Sequence, residues 1–175
     1  METLLPGIAV LNGNMHPLLI HFPIAFFLGA LAMEGLAVLH HEKFHLVATW
    51  MLYLGTLMAI ITLPTGFIAA NMVAAQDPRG HDAPGHQVIH YHRNFMMAAT
   101  LLGILLSMYV FLINQKGKWR SHRFGLLFGL VVLSVLVALG ADRGARLVFE
   151  FGTGINPNVI TKSHDNADAK MPHSH

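Results

Sequence analysis

The sequence MHPLLIHFPIAFFLGALAMEGLAVL, residues 15–39, is almost wholly apolar. Its part from residue 17 onward exceeds the roughly 18 residues that a helix needs to cross the hydrocarbon layer of a bilayer. Two histidines and two prolines stand at its start, and one carboxylate, Glu34, lies well inside it. This run predicts a membrane-spanning helix that carries ionisable groups, which are rare within spans and usually functional.

Three further apolar blocks follow, at residues 46–75, 95–113 and 124–141. The chain of 175 residues is 54% hydrophobic and 11% charged, a composition typical of membrane proteins and not of soluble domains. The fold class predicted is therefore an all-α membrane protein, a bundle of four transmembrane helices. Residues 1–155 form this domain, and residues 156–175 are expected to be a polar, flexible tail because they cannot bury a core.

Several classes of site and of targeting segment are excluded by composition. Cysteine is absent, which excludes disulfides, thiolate metal sites and covalent attachment of a c-type haem. The net charge of +2 is small and spread over loops, so it does not indicate nucleic-acid binding. A signal peptide is a competing interpretation of the first run, since GALA precedes Met33. The residues before the run contain Glu2 and no Lys or Arg, so we expect the first helix to stay in the membrane.

Loop charges predict the orientation, because Lys and Arg in short loops favour the cytoplasmic side. One face holds Lys43, Lys116, Lys118, Arg120 and Arg123, whereas the opposite face holds Arg79, Arg93, Arg143 and Arg146. This small bias places both termini on the periplasmic side of a bacterial inner membrane. Spans 1 and 3 then start at that same outer face, so their first residues converge.

Histidines cluster where the third span begins, in the sequence HQVIHYHRN at residues 86–94. Residues four apart are neighbours on a helix, so His86, His90 and Asn94 share one face, whereas His92 points elsewhere. This cluster provides candidate cofactor-binding side chains.

The first span contributes His16 and His21, which are five residues apart. That spacing corresponds to about 140° around the helix axis and about 7.5 Å along it. The two side chains cannot both reach one point from an ideal helix. One is expected to face the bundle interior, and the other a loop, a second site or the membrane interface.

Imidazoles that converge from two helices are the ligands that a buried b-type haem needs. Neutral nitrogen donors fill both axial positions of the iron without placing charge in the membrane. Copper, zinc and non-haem iron accept the same donors, and spacing does not choose among them. For any single one of the 13 histidines, an interfacial anchor or a helix cap is the plainer interpretation.

Three motifs resemble a bacterial membrane family, domain of unknown function 2231. HPLLIHFPIA resembles the hallmark H-P-x-x-x-H-F-P-I-A of that family. HYHRN contains its H-x-x-x-N, which maps onto His90 and Asn94, and GARLVFEFGTGI resembles its C-terminal G-G-x-L-V-Y-x-x-G-x-G-V. The resemblance covers about residues 15–155. Ala145 and Arg146 depart from the last motif, where a glycine and an acid are expected, so a role of that acid does not carry over.

The resemblance implies a four-helix membrane fold. It also implies a redox function at the outer face of the membrane, since some relatives are fused to or encoded beside c-type cytochromes. It implies no established reaction. Within this frame we expect His21 and His90 to ligate one b-type haem. His21 lies inside the span, and His90 matches the family motif. The reserve ligands, for a second haem or for copper or iron, are His16, His86 and His92.

Glu34 needs a separate interpretation, because an ionised carboxylate inside a span is unfavourable. No charged residue lies in the hydrocarbon part of the other spans. We therefore expect Glu34 to be neutral and hydrogen-bonded, with proton transfer as the alternative role.

Two classes of function remain open. The first is an electron-transfer protein that exchanges electrons with a c-type cytochrome, another redox-complex subunit or quinol. The second is a non-redox membrane subunit or a copper- or iron-binding protein. Marks of an independent enzyme, such as a nucleotide-binding loop, are missing. A small-xxx-small pair, Gly125 and Gly129, also allows a homo-oligomer.

Overall fold

The computed structural model describes residues 14–76, 82 and 85–153. This part of the chain is helical and contains no strand. The helices are α1 (His16–Leu19), α2 (His21–Leu39), α3 (Lys43–Gln76), α4 (His86–Gln115) and α5 (Trp119–Phe149). The predicted all-α architecture is confirmed. The expected tail at residues 156–175 lies outside the described residues.

Four helical segments are long and apolar enough to cross a membrane, namely His16–Leu39, Lys43–Ala74, His86–Gln115 and Trp119–Phe149. Helices α1 and α2 together form the first span, and α3, α4 and α5 provide the other three. The helices are longer than most of the apolar blocks from which they were predicted. Polar residues continue them at both ends, where side chains reach the interface and the backbone keeps its hydrogen bonds.

The first span comprises α1 and α2, with Ile20 between them. Pro17 lies in the first turn of α1 and Pro23 is the third residue of α2. The missing N–H groups of these prolines cost little, because the first N–H groups of a helix have no intrahelical partner. The backbone of Ile20 stays in the right-handed helical region, with φ −61° and ψ −25°, and its N–H bonds to the His16 carbonyl, so α1 and α2 continue one another.

Helix α3 is continuous through Pro64. Proline removes one helical hydrogen bond at such a position. The neighbouring Thr65 hydroxyl donates to the Thr62 carbonyl oxygen at 2.6 Å, so a side chain provides local hydrogen bonding beside the proline.

The four spans form a closed antiparallel bundle. Span 1 packs against spans 2 and 4, and span 3 packs against the same two. The short connection at residues 116–118 turns at Gly117, whose φ is +60°, a conformation that glycine adopts without strain. The most completely buried apolar side chains are Phe27, Leu52, Val110, Leu126, Leu130 and Leu133.

The outer surface of the bundle is apolar along the spans. Large side chains such as Ile68, Leu105 and Phe128 are 57%, 57% and 70% exposed. Exposed patches of this extent are rare on soluble monomers, whereas lipid tails solvate them without penalty. The chain is therefore a multi-pass membrane protein in contact with the bilayer.

We expect both ends of the chain to lie on the same, periplasmic side, because the number of spans is even and the loop charges favour that orientation. A reporter enzyme that is active only in the periplasm, fused at the C-terminus, should be active. The same reporter fused within residues 116–118 should be inactive. The reverse pattern would contradict the predicted orientation.

Candidate functional site

His16 and His92 face each other at the end of the bundle where spans 1 and 3 begin. Their ring centroids are 6.3 Å apart and the ring planes are nearly perpendicular, at 86°. Both side chains are partly buried. We call them the His16–His92 pair. They bring imidazoles from two different spans to one place, as the sequence pattern predicts for spans 1 and 3.

The hydrogen bond of His92 fixes which ring nitrogen carries the proton. Nδ1 of His92 lies 2.8 Å from the carbonyl oxygen of Gly140 in span 4. A carbonyl oxygen only accepts hydrogen bonds, so Nδ1 must be the donor. In the neutral ring this leaves a lone pair on Nε2, the form in which histidine binds a metal.

His16 is oriented in the same way by span 2. Its Nδ1 lies 3.1 Å from the Thr65 hydroxyl, and that hydroxyl gives its own hydrogen to the Thr62 carbonyl. The hydroxyl can therefore only accept from His16, so Nδ1 is again the donor. The lone pair of the neutral His16 ring lies on Nε2. Both rings are held by a second residue in the manner typical of metal ligands.

Two glycines allow these rings to pack directly on helix backbones. A Cβ atom added at Gly66 would lie 2.9 Å from Cε1 of His16, and one at Gly144 would lie 3.2 Å from Cε1 of His92. The first of these separations is too short for a real contact. Glycine at residue 66 is therefore required by the position of the His16 ring.

His86 and His90 form a second pair, four residues apart on α4. Their Nε2 atoms are 2.9 Å apart, and a guanidinium nitrogen of Arg93 lies 2.7 Å from Nδ1 of His90. Arginine only donates, so His90 accepts at Nδ1 and donates from Nε2. Both nitrogens of His90 are thus engaged, and it could bind a metal only after losing one of these bonds.

The expected ligands His21 and His90 are not brought together. His21 is exposed, and its closest polar contact is 3.4 Å from Nδ1 to the Leu18 carbonyl oxygen. No hydrogen bond or ring contact joins His21 to His90 in the part of the chain that the structure describes. Asn94, on the face expected to be shared with His90, is also exposed. Ligation by His21 and His90 stays a prediction, without a contact between these residues to support it.

The other end of the bundle, where residues 116–118 connect spans 3 and 4, is called the loop end. Glu34 is fully buried there, with 0% exposure. One carboxylate oxygen, Oε2, is 2.7 Å from Nδ1 of His45, and the other accepts a hydrogen bond from Nε1 of Trp119 at 2.6 Å. The hydrogen bonding expected of Glu34 is present. One of its partners, His45, is ionisable and stands at the start of α3, where the short loop brings it beside Glu34.

Further polar groups extend this arrangement toward the surface. Nε2 of His45 donates to Oδ1 of Asn114 at 2.9 Å, and the rings of His45 and Trp119 stack with centroids 4.9 Å apart. We call the set of residues Glu34, His45, Asn114 and Trp119 the Glu34–His45 cluster. Asn114 also lines an open groove of about 360 Å³ with Tyr53, Phe111 and Gln115.

The described residues contain no group of three or more His, Cys, Asp or Glu side chains arranged to hold a metal ion. The His16–His92 pair brings two imidazole nitrogens to one place, which could serve as metal or haem ligands. A metal ion bound without haem would have to take any further ligands from water or from a partner.

Arg146, which departs from the family pattern, pairs with Glu150 one turn later on the exposed side of span 4, at 2.8 Å. The hydrogen bond from the Arg146 guanidinium lowers the pKa of the Glu150 carboxyl. Both side chains are about half exposed, so this pair contributes little to stability.

A family model described as "Predicted membrane protein (DUF2231)" matches residues 12–157. The match covers all four spans and agrees with the three motifs noted in the sequence. Comparison with curated proteins and with solved structures gives no match.

Proposed function

The chain belongs to the DUF2231 family of predicted membrane proteins, and we propose that it is an electron-transfer protein of the bacterial inner membrane. In this proposal one b-type haem is ligated by His16 and His92, near the outer face. The haem would exchange electrons with a c-type cytochrome, with another subunit of a redox complex or with quinol. A haem iron so ligated supplies one-electron transfer.

The observation that carries the proposal is the separation of the two rings. The His16 and His92 centroids are 6.3 Å apart. At this separation imidazoles from two different spans lie at one place, so His16 and His92 would be the residues that hold the haem iron.

The surrounding residues support the same role. Thr65 and the Gly140 carbonyl each engage Nδ1, which holds the rings in place and leaves Nε2 as the donor atom. Both donors are neutral imidazoles, so ligation adds no charge inside the membrane. His21 is exposed, and both ring nitrogens of His90 are engaged by His86 and Arg93.

A second candidate function is binding of a single copper or iron ion by the same pair. It is favoured by the close packing of the rings on the backbone at Gly66 and Gly144. Packing of this kind suits a small ion without rearrangement, whereas a macrocycle needs the spans to move apart. Imidazole is a suitable ligand for both metals.

Absorption spectra of the detergent-purified full chain, expressed with ample haem, distinguish these functions. We expect sharp α and β bands after reduction with dithionite, because two axial imidazoles give low-spin iron. A colourless protein that contains about one copper or iron per chain by elemental analysis would favour the second candidate. A protein without haem or metal would overturn both and leave a non-redox membrane subunit.

A further inference from the structure

We propose that Glu34 and His45 form a proton-binding site at the loop end, and that the site exchanges protons with water at the His45 ring, beside Asn114. The site is separate from the His16–His92 pair and lies at the opposite end of the same spans. Its ligand is a proton, so the proposal does not depend on the metal or haem assigned above.

The separation of the two groups requires a shared hydrogen. Oε2 of Glu34 and Nδ1 of His45 are 2.7 Å apart, and two lone pairs at this distance would repel each other. The other ring nitrogen of His45 already donates to Asn114. One proton must therefore lie between Glu34 and His45, on either group. In both arrangements the pair is neutral overall, which suits a site of low dielectric constant.

The burial of the two groups is unequal. The Glu34 side chain is 0% exposed and the His45 side chain is 12% exposed, so His45 is the member nearer to water. Asn114 is exposed and lines the groove with Tyr53. A proton leaving Glu34 therefore has a short route, first to the His45 ring and then from that ring to water in the groove.

The elements packed around the pair contribute no other ionisable contact among the described residues. Span 2 contributes Thr49, whose hydroxyl is 3.4 Å from Nε2 of His45, and span 3 contributes Asn114. Span 4 contributes the indole of Trp119. The charged groups Glu42, in the loop before α3, and Arg120, in the first turn of α5, bind each other at 2.7 Å. A titration in this cluster would thus belong to Glu34 and His45 together.

Trp119 is a built-in reporter of this proton, since its indole touches both members of the pair. The chain has one other tryptophan, Trp50, which is 60% exposed on the outer surface of span 2. A Trp50→Phe variant of the full chain therefore isolates the emission of Trp119. Its fluorescence should change with pH in a single sigmoidal step, because a charged imidazole stacked on an indole quenches its emission.

In the same background, Glu34→Gln should move the midpoint toward acid by at least one pH unit, about a tenfold loss of proton affinity. The amide cannot share the proton as a carboxylate does. The double variant Glu34→Gln/His45→Gln should abolish the step. His122→Gln is the matched control. His122 also lies at the loop end, bonded to Tyr109 at 2.8 Å, and its loss should leave the step unchanged.

A fixed structural ion pair would behave differently. The Trp119 emission would then stay constant wherever circular dichroism shows a folded protein, and this result would overturn the proposal. The proposal would also be overturned if the pH step in Trp119 fluorescence survived unchanged in the folded double variant. Because the readout is fluorescence of the protein itself, a failure here is distinguishable from a failure to find haem or metal at the His16–His92 pair.

Discussion

His16→Ala and His92→Ala should each remove the reduced α and β bands, with cofactor content falling by about a hundredfold or more. Loss of a residue that merely orients a ligand costs 10- to 100-fold in affinity, and loss of the ligand itself should cost at least as much. Helical circular dichroism should remain, since neither ring belongs to the buried apolar core. The measurement is the reduced-minus-oxidised spectrum, normalised to protein.

The matched controls are His21→Ala and His90→Ala, which should keep the bands. Within the described part of the chain, the hydrogen bond of His21 is to Leu18 in its own span, and His90 is held by His86 and Arg93. Loss of the bands in these two variants, with retention in His16→Ala and His92→Ala, would reject our assignment. It would instead support the ligand pair expected from sequence spacing.

Thr65→Val adds a test of orientation, because it removes the acceptor of the His16 Nδ1–H while keeping the size of the side chain. Thr65→Val should lower the haem content per protein, measured by the same reduced-minus-oxidised spectrum, without reducing it to zero.

Glu34→Ala should destabilise the protein by about 3–5 kcal/mol, a fall in Tm of roughly 10 °C. The substitution removes the carboxylate that binds the Trp119 N–H and Nδ1 of His45, so these two polar groups lose their partner in the protein interior. An unpaired buried polar group loses its solvation without compensation. Thermal unfolding of the purified full chain in detergent, followed by circular dichroism, measures the effect.

Glu34→Gln is the matched variant and should unfold within a few degrees of the original protein. The amide oxygen can accept from Trp119, and the amide nitrogen can donate to Nδ1 of a neutral His45. If Glu34→Gln were as unstable as Glu34→Ala, an ionised carboxylate would be needed for folding. If neither variant were destabilised, the cluster would contribute nothing to stability.

The positions of the four spans could be predicted because crossing a bilayer is a local requirement. Any segment that crosses must be apolar over about 18 residues and must satisfy its backbone hydrogen bonds within itself, as a helix does. The three motifs likewise placed the chain in its family. The sequence pattern also placed histidines from spans 1 and 3 at one end of the bundle. When successive spans are antiparallel, spans 1 and 3 run in the same direction and begin at the same side of the membrane.

The partners of each side chain depended on the rotation of each span about its axis, which packing sets. Helical backbone at Ile20 connects His16 to His21, but spacing along one helix does not show which neighbouring span each side chain meets. On α4, His92 lies on the side that meets Gly140 and His16. Glycines at residues 66 and 144 mark where rings approach a neighbouring span, but their sequence positions do not identify those rings.

Glu34 shows the same division between local pattern and tertiary contact. That a carboxylate inside an apolar run must be hydrogen-bonded follows from solvation alone. That its partners are His45 and Trp119, 11 and 85 residues away in sequence, follows from the fold. The loop between α2 and α3 is short enough to return His45 beside Glu34, and the closed bundle brings the start of span 4 against span 1. Hydropathy is a property of each segment, whereas these contacts exist only after the segments pack.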